Sequence, residues 1–589
     1  MQEAFDWNEE PPLDPAIEYQ GLLRGLRRKK GFGLYFVQCS PSEGTRLIAR
    51  IRHDLPQKTE VLKFDAAMDG NFYQCVADYL QAHGDTEVLF VQGLEYSLLS
   101  YEATKREEGW SSEEIYSYSW KAVPRLLGNL NLQRERFRDN FPIRFVFLLP
   151  SFAMKYLIRR APDFFDWRSG LFEFPSDSEL LEKESSRMFG DYNEYLNWTQ
   201  LERDRKIAEI QCWIGERNQT SERKAQLFLE QGNLFAASSE HEAAITIYNQ
   251  SLKLKPDYDQ AWYNRGVALS DLKRYEESIV SYDEALKYKP DYNQAWYNRG
   301  TALGNLGRYE ESIVSYDQTL KHKPDDHKAW NNRGTILNGL QRYEEAITSY
   351  DQALKLKSDE YKVWNNRGDA LRNLKRYEEA ISSYGRALEI EPDSHFAWGN
   401  RGDALCNLKR YEEAISSYDK ALEIESQNHG GWNIRGITLE SLSRYEEAVF
   451  SYDKALEIKP DFHFAWGNRG DALYSLDRYE EAISSYDKAT EFKPDHYRVW
   501  RDRGLALSDL KRYEEAITSY EQALKIKPDD ARTLYYKACC YGLQSQADLA
   551  IATLKQAIEL DPKCREMAKT DADFEGVRSD DRFQAFLRD

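Results

Sequence analysis

Within Asp257–Pro290, Trp262, Arg265, Gly266, Ala268, Leu269 and Leu272 recur at helical spacing, so one face of a first helix packs. Tyr275, Ile279, Tyr282, Ala285 and Leu286 make the same pattern in a second helix. Between them Asp271-Leu272-Lys273-Arg274 forms a short turn, which makes the two helices antiparallel neighbours. Gly266 and Ala285 are small where the backbones must come close. Pro290 cannot continue the second helix and ends it.

This unit is one of a series. Trp recurs at 262, 296, 330, 364, 398, 432, 466 and 500, always 34 residues apart. Gly follows each Trp by four residues, and Pro closes most units at 256, 290, 324, 392, 460, 494, 528 and 562. Phe228 with Gly232 extends the frame upstream and Leu534 with Ala538 downstream, which gives ten units over about 224–562. One hairpin cannot bury both its faces, so each must stack on the next.

The spacing Trp-x-x-Arg-Gly, then Ala346-x-x-x-Tyr350, then a closing Pro resembles the tetratricopeptide (TPR) family over more than half the chain. The resemblance implies an all-α superhelical solenoid, right-handed, whose concave groove holds a peptide or a partner helix. The one consistent departure is Arg at 265, 299, 333, 367, 401, 435, 469 and 503, where the family usually has Leu. The pattern stops after Pro562. Phe574, Phe583, Phe586 and Leu587 predict a capping helix within 563–589.

Candidate chemistry in the array lies at fixed register. A Trp on the packed face of every unit reads as core filler. Asn stands two residues after six of them, at Asn264, Asn298, Asn332, Asn366, Asn400 and Asn468. Asn is a poor helix former, so six copies need a reason. Some TPR proteins, the O-linked sugar transferases among them, look similar here. In them an Asn ladder bonds the ligand backbone, and an amide both donates and accepts. The other reading is an Asn that satisfies itself on the neighbouring repeat. Asp369, Asp403 and Asp471 stand three residues further on. They are either a solvated acidic face or the lining for a basic ligand. The Lys and Asn arrangement by which some family members clamp a carboxylate is missing. The Arg series is expected to pair with second-helix acids such as Glu276 and Glu277. Around Trp432 the ladder Asn is absent, Ser426 replaces Pro, and Gly430 and Gly431 loosen the helix start. That is a bend or drift.

Residues 1–178 have another texture. Apolar runs at Leu34–Val37, Val61–Phe64, Val88–Val91, Ile143–Leu149 and Leu171–Phe174 alternate with helical stretches, the pattern of an α/β domain on a parallel sheet. After the first run come Cys39-Ser-Pro-Ser-Glu-Gly44-Thr45-Arg46 and the helical Leu47–Ile51. A strand, a loop with Gly44, then a helix is the P-loop position. It resembles the loop of AAA and STAND-type NTPases and departs where chemistry matters. Cys39 replaces the leading Gly, Thr45 the phosphate-binding Lys, and Arg46 the magnesium-holding Ser or Thr. Gln92 stands where a metal-holding Asp would be, and Glu95 is three residues late. Phosphoryl transfer depends on that Lys and metal, so Gly44, Thr45, Arg46 and Gln92 form a degenerate nucleotide site. Arg46 is the residue left to touch an ATP phosphate, and no cofactor is expected. Phe141–Pro150 and Ala161–Phe174 look like the later part of such a core and like stretches of bacterial TPR-bearing signalling proteins. Residues 179–223, with Glu179–Met188 and Leu201–Glu216 helical, read as a coupling segment.

Composition narrows the partners. The 589 residues carry a formal charge of −19, which argues against nucleic acid. Seven cysteines form no CxxC pair, so neither zinc nor a disulfide framework is indicated and a cytoplasmic setting fits. The most apolar stretch is far shorter than a membrane span needs. The expectation is a protein-binding adaptor, with an inactive head that docks or oligomerises, in bacterial signalling or defence. The alternative is an ATP-dependent switch whose TPR arm senses a ligand.

Overall fold

The structure, a computed structural model, describes residues 14–28, 31–68, 71–98, 125–176, 188–216 and 219–588. The chain divides into two compact units, residues 1–322 and 323–589.

The first unit opens with a five-stranded sheet: β1 (Gly33–Cys39), β2 (Thr59–Lys63), β3 (Val88–Gln92), β4 (Arg144–Leu149) and β5 (Arg168–Phe174). All pairs are parallel, in the order β2-β3-β4-β1-β5. The five apolar runs of the sequence are these strands. All six residues of β4 are buried, as a strand covered on both faces requires. Helices α1 (Pro15–Arg27) and α2 (Pro41–Asp54) cover one face through Leu22, Leu26, Leu47 and Ile51. On the other face lie α3 (Phe72–Ala82), α4 (Arg125–Asn140), α5 (Ser151–Arg160) and α6 (Pro162–Asp166), around Phe36, Phe72, Phe137, Phe147 and Phe164. The helix after β1 and the helix after β4 thus cover opposite faces, although the two strands are neighbours. This is the topological switch point, and a crevice opens there at the carboxyl ends of the strands.

Two helices follow, α7 (Tyr192–Asn197) and α8 (Gln200–Ile214), the second started by a capping box between Thr199 and Glu202. The helix expected over Glu179–Met188 lies outside the described residues except for Met188. Ile210 and Trp213 of α8 join Leu227 and Leu234 in one core with the first hairpin. Three hairpins complete this unit: Ser221–Ala237 with His241–Leu254, Asp259–Asp271 with Tyr275–Tyr288, and Asn293–Asn305 with Tyr309–His322.

The second unit holds seven more, from His327–Gly339 with Tyr343–Leu356 to Ala531–Leu543 with Ala547–Leu560. The array is therefore an all-helical solenoid of the expected repeats. All but the last, which has Ala538 and Leu554 there, pack a first-helix Gly against a second-helix Tyr. A Cβ on Gly368 would lie 2.5 Å from the Tyr384 ring, and the pair recurs as Gly402 with Tyr418 and Gly470 with Tyr486. The turns share a left-handed residue, with φ of 60° at Lys273, 62° at Lys375 and 76° at Gly307. The helix at His429–Glu440 forms despite its two glycines, because the Asn428 side chain accepts the Gly431 N–H at 2.9 Å.

Residues 563–589 differ from the single capping helix expected. They form Lys563–Thr570, a 3-10 turn at Ala572–Phe574, Glu575–Arg578 and Asp581–Arg588. Asp571 caps the 3-10 turn with its side chain. The break lets Phe574, Phe583 and Leu587 reach one core with Leu534 and Leu554. No helix among the described residues is long and apolar enough to cross a membrane.

Candidate functional site

The repeat face is built from three first-helix positions, which hold Trp and Arg in eight of the ten hairpins and Asn in six. Trp is only half-buried. Its indole N–H donates to the backbone carbonyl six residues earlier, as Trp262 does to Pro256 and Trp466 to Pro460, both at 2.9 Å. The ring packs against a core filled mainly by Ala, Leu and Tyr, so the expectation of core packing holds in part. Trp pins the loop that joins successive hairpins.

Arg stands over its own Trp ring, 5.9 Å from the centroid at Arg367. Its partners are not the expected Glu residues. Arg367 Nε donates to Asp351 at 2.6 Å on the preceding hairpin, and Nη1 to Ser383 at 2.8 Å on its own. Arg299, Arg435, Arg469 and Arg503 repeat this with Asp283, Asp419, Asp453 and Asp487. Glu277 is held instead by Arg274 in the turn, a helix-start pair three residues apart. At Arg401 the upstream position is Gly385, and among the described residues the Arg401 side chain hydrogen-bonds Ser417 alone. Burial holds its guanidinium below the usual range, with Glu413 offsetting part of the effect.

The six Asn side chains are half-buried. Asn264 donates to Asn233 at 2.8 Å, Asn298 to Tyr263 at 3.1 Å, Asn366 to Asn331 at 3.3 Å and Asn468 to Asn433 at 3.1 Å. Asn400 donates to Asp369 at 3.0 Å, and Asn332 accepts from Asn331 at 3.3 Å. Each ladder amide is thus oriented by a neighbouring side chain, mostly one repeat back. Asn331, Asn365 and Asn433, one residue before the ladder, belong to the same network and are not among the residues expected from the sequence. Their own spacing in multiples of 34 residues was the available signal.

The three Asp carboxyls turn toward second-helix tyrosines, although as whole residues Asp369 and Asp403 are half-buried and Asp471 is exposed. Asp369, Asp403 and Asp471 accept the hydroxyls of Tyr384, Tyr418 and Tyr486 at 2.7, 2.9 and 2.7 Å. Arg372 lies 3.8 Å from both Asp369 and Asp403, which partly neutralises the negative lining. Burial raises both carboxyls above the usual range. Asp471 is pushed up to about 7, chiefly by burial and then by Asp502, with Glu440 adding to it. Asp502 occupies the ladder position of its repeat, and Arg501 pairs with it at 2.9 Å. No ion pair reaches Asp471 or Glu440 among the described residues.

In the front domain there is no loop at Gly44. Helix α2 begins at Pro41, and Gly44, Thr45 and Arg46 lie within it. Ser40 caps it by accepting the Glu43 N–H, and Pro41 has none to offer. The Thr45 hydroxyl donates to the Pro41 carbonyl at 3.0 Å. Arg46 is exposed, 3.8 Å from Glu43. Thr45 and Gln92 line a crevice of about 260 Å³ with Lys63 and Glu95, and Arg46 is not part of its wall. Gly44 is closely packed, and a Cβ there would lie 3.1–3.3 Å from Gln92, Cys39 and Leu148.

The family described as tetratricopeptide repeat matches residues 297–361, 435–497 and 468–531, then 260–292, 361–394 and 395–428, and also 507–572. A TPR repeat family matches 232–273. Together these ranges cover more than half the chain. None of the curated proteins matches it. Among solved structures, YrrB, described as a TPR protein with an unusual peptide-binding site, is 23% identical over 32% of this chain and 97% of its own, with a TM-score of 0.30. The pilF protein of Pseudomonas aeruginosa is 21% identical over 38% of this chain and 96% of its own, with a TM-score of 0.31. A tetratricopeptide repeat protein of Parabacteroides merdae is 16% identical over 42% of this chain and 98% of its own, with a TM-score of 0.33. With ten in-phase hairpins and family matches over most of them, this chain belongs to the tetratricopeptide repeat family.

Proposed function

We propose that the chain is a protein-interaction scaffold whose repeats bind an extended, basic segment of a partner protein. The observation that carries this reading is the state of the ladder amides. Each is held by a hydrogen bond to a neighbour, yet among the described residues the Oδ1 atoms of Asn264, Asn298, Asn366, Asn400 and Asn468 accept none and are not sealed from solvent. An oriented amide with an open acceptor suits peptide backbone read without regard to sequence. Asp471 and Glu440, which form no ion pair among the described residues, favour a Lys or Arg in the ligand.

The head is proposed to be inactive as an NTPase and to dock or oligomerise, in a bacterial signalling or defence setting in the cytoplasm. The capped, proline-started helix at the phosphate position supports that reading over the switch. The test selects 12-residue peptides against the full chain from a displayed random library, then measures them by fluorescence polarisation. Binding to the variant N332A/N366A/N400A should weaken at least about tenfold while the helical circular dichroism stays. Unchanged affinity would overturn the ladder.

A further inference from the structure

The crevice at the carboxyl ends of β1, β3 and β4 holds an acidic group that the interaction scaffold does not use. Glu95 is 5% exposed, and its Oε2 has no hydrogen-bond partner. Neither does any cation pair with it among the described residues. Burial pushes its carboxyl up to about 7. Buried polar groups are nearly always paired, and leaving one unpaired is costly. Glu95 is also not sealed in packed core. It forms a shared wall, with Pro41 and Tyr96, between the crevice of about 260 Å³ and a second cavity of about 510 Å³.

The surroundings select the kind of ligand. Tyr96 and Trp198 present aromatic rings in the larger cavity, and aromatic faces attract cations. Of the cations lining the two cavities, Lys206 pairs with Glu209 at 3.3 Å and Lys63 with Asp65 at 3.0 Å, and Arg205 acts on Glu202 of the same helix. A phosphate would meet a buried carboxylate, a helix start already capped by Ser40, and no backbone N–H at Pro41. A positively charged nitrogen would instead supply the hydrogen bond that Oε2 lacks and a compensating charge.

We propose that this crevice binds a small organic cation, a primary ammonium or guanidinium, on the Glu95 carboxylate. The site is separate from the repeat face, so its fate and that of the peptide reading are independent.

The experiment is isothermal titration calorimetry of the full chain at pH 8, where Glu95 is ionised. The probes are agmatine and the blocked tripeptide N-acetyl-Gly-Arg-Gly-amide, with ATP as the anionic control. Saturable agmatine binding is expected, weakened at least about tenfold in Glu95→Gln and unchanged in N332A/N366A/N400A. Thr45→Trp, an exposed residue on the crevice wall, should block it too, and thermal melts establish that both variants fold. Agmatine alone binding identifies a free small molecule, while binding of both identifies a cationic group that a peptide side chain also supplies. No saturable heat from either probe at about 10 mM, equal binding in Glu95→Gln, or ATP binding in place of agmatine would overturn the proposal.

Discussion

Arg367 donates through Nε to Asp351 at 2.6 Å, from the first helix of one hairpin to the second helix of the hairpin before it. With Ser383 on its other arm, the guanidinium ties three helices.

Gly385 leaves Arg401 without the equivalent carboxylate, and a Cβ there meets nothing within 4 Å. Gly385→Asp should restore the pair and improve helix propensity. The gain should be about 0.5–1.5 kcal/mol, read as a raised midpoint in urea. A midpoint that is unchanged or lower would count against the inter-repeat role of the Arg series.

Gly368 has no room for a methyl, with the Tyr384 ring 2.5 Å from the Cβ position. Gly368→Ala should cost about 1–3 kcal/mol. Because the repeats contact their neighbours, the loss should be local. Hydrogen exchange should quicken around residues 361–390 and stay unchanged in the front sheet. Uniform quickening would contradict this.

Lys375 sits at a φ of 62° in the turn, where Gly307 stands in its own repeat. Lys375→Gly should stabilise by about 0.5–1 kcal/mol, since a side chain is strained in the left-handed region and the unfolded chain gains some freedom in return. Gly307→Lys should do the reverse. Thermal melts of the two variants moving in the same direction would refute the argument.

Asp471 is pushed up to about 7 in the fold. The folded state therefore holds this proton more tightly than the unfolded chain does. Its contribution to stability is present below the ordinary Asp range and is lost as pH rises from about 4 to about 7. Asp471→Asn should thus match the parent at pH 4, gain over it through pH 7, and hold a constant advantage above. A pH-independent difference between their melting curves would remove burial as the cause.

The fold was legible where one periodicity governs it. Trp and Gly in phase mark eight of the ten hairpins, with Phe228 and Gly232 marking the first and Leu534 and Ala538 the last, and five apolar runs mark all five strands. Partner identity was less legible, because it depends on which helices the stacking brings together. Asp283 lies 16 residues before Arg299, a separation that means nothing along a single helix. Glu277 looks closer in sequence and is held by Arg274. The same holds in the front domain, where a glycine in the right place suggests a loop, yet Ser40 and Pro41 start the helix at once. In the sequence Glu95 reads only as a misplaced metal ligand. The cavity it lines is walled on the other side by α8, far along the chain.

The Trp-to-carbonyl bond spans six residues, the Gly-to-Tyr contact sixteen, and the Arg pair sixteen in each direction. None of these reaches beyond an adjacent hairpin. Deleting or duplicating a block of 34 residues inside the second unit would therefore leave every such partnership matched at the new junction. Array length is open to change by recombination between near-identical copies, and the chain can be lengthened or shortened to suit a ligand without redesigning any joint.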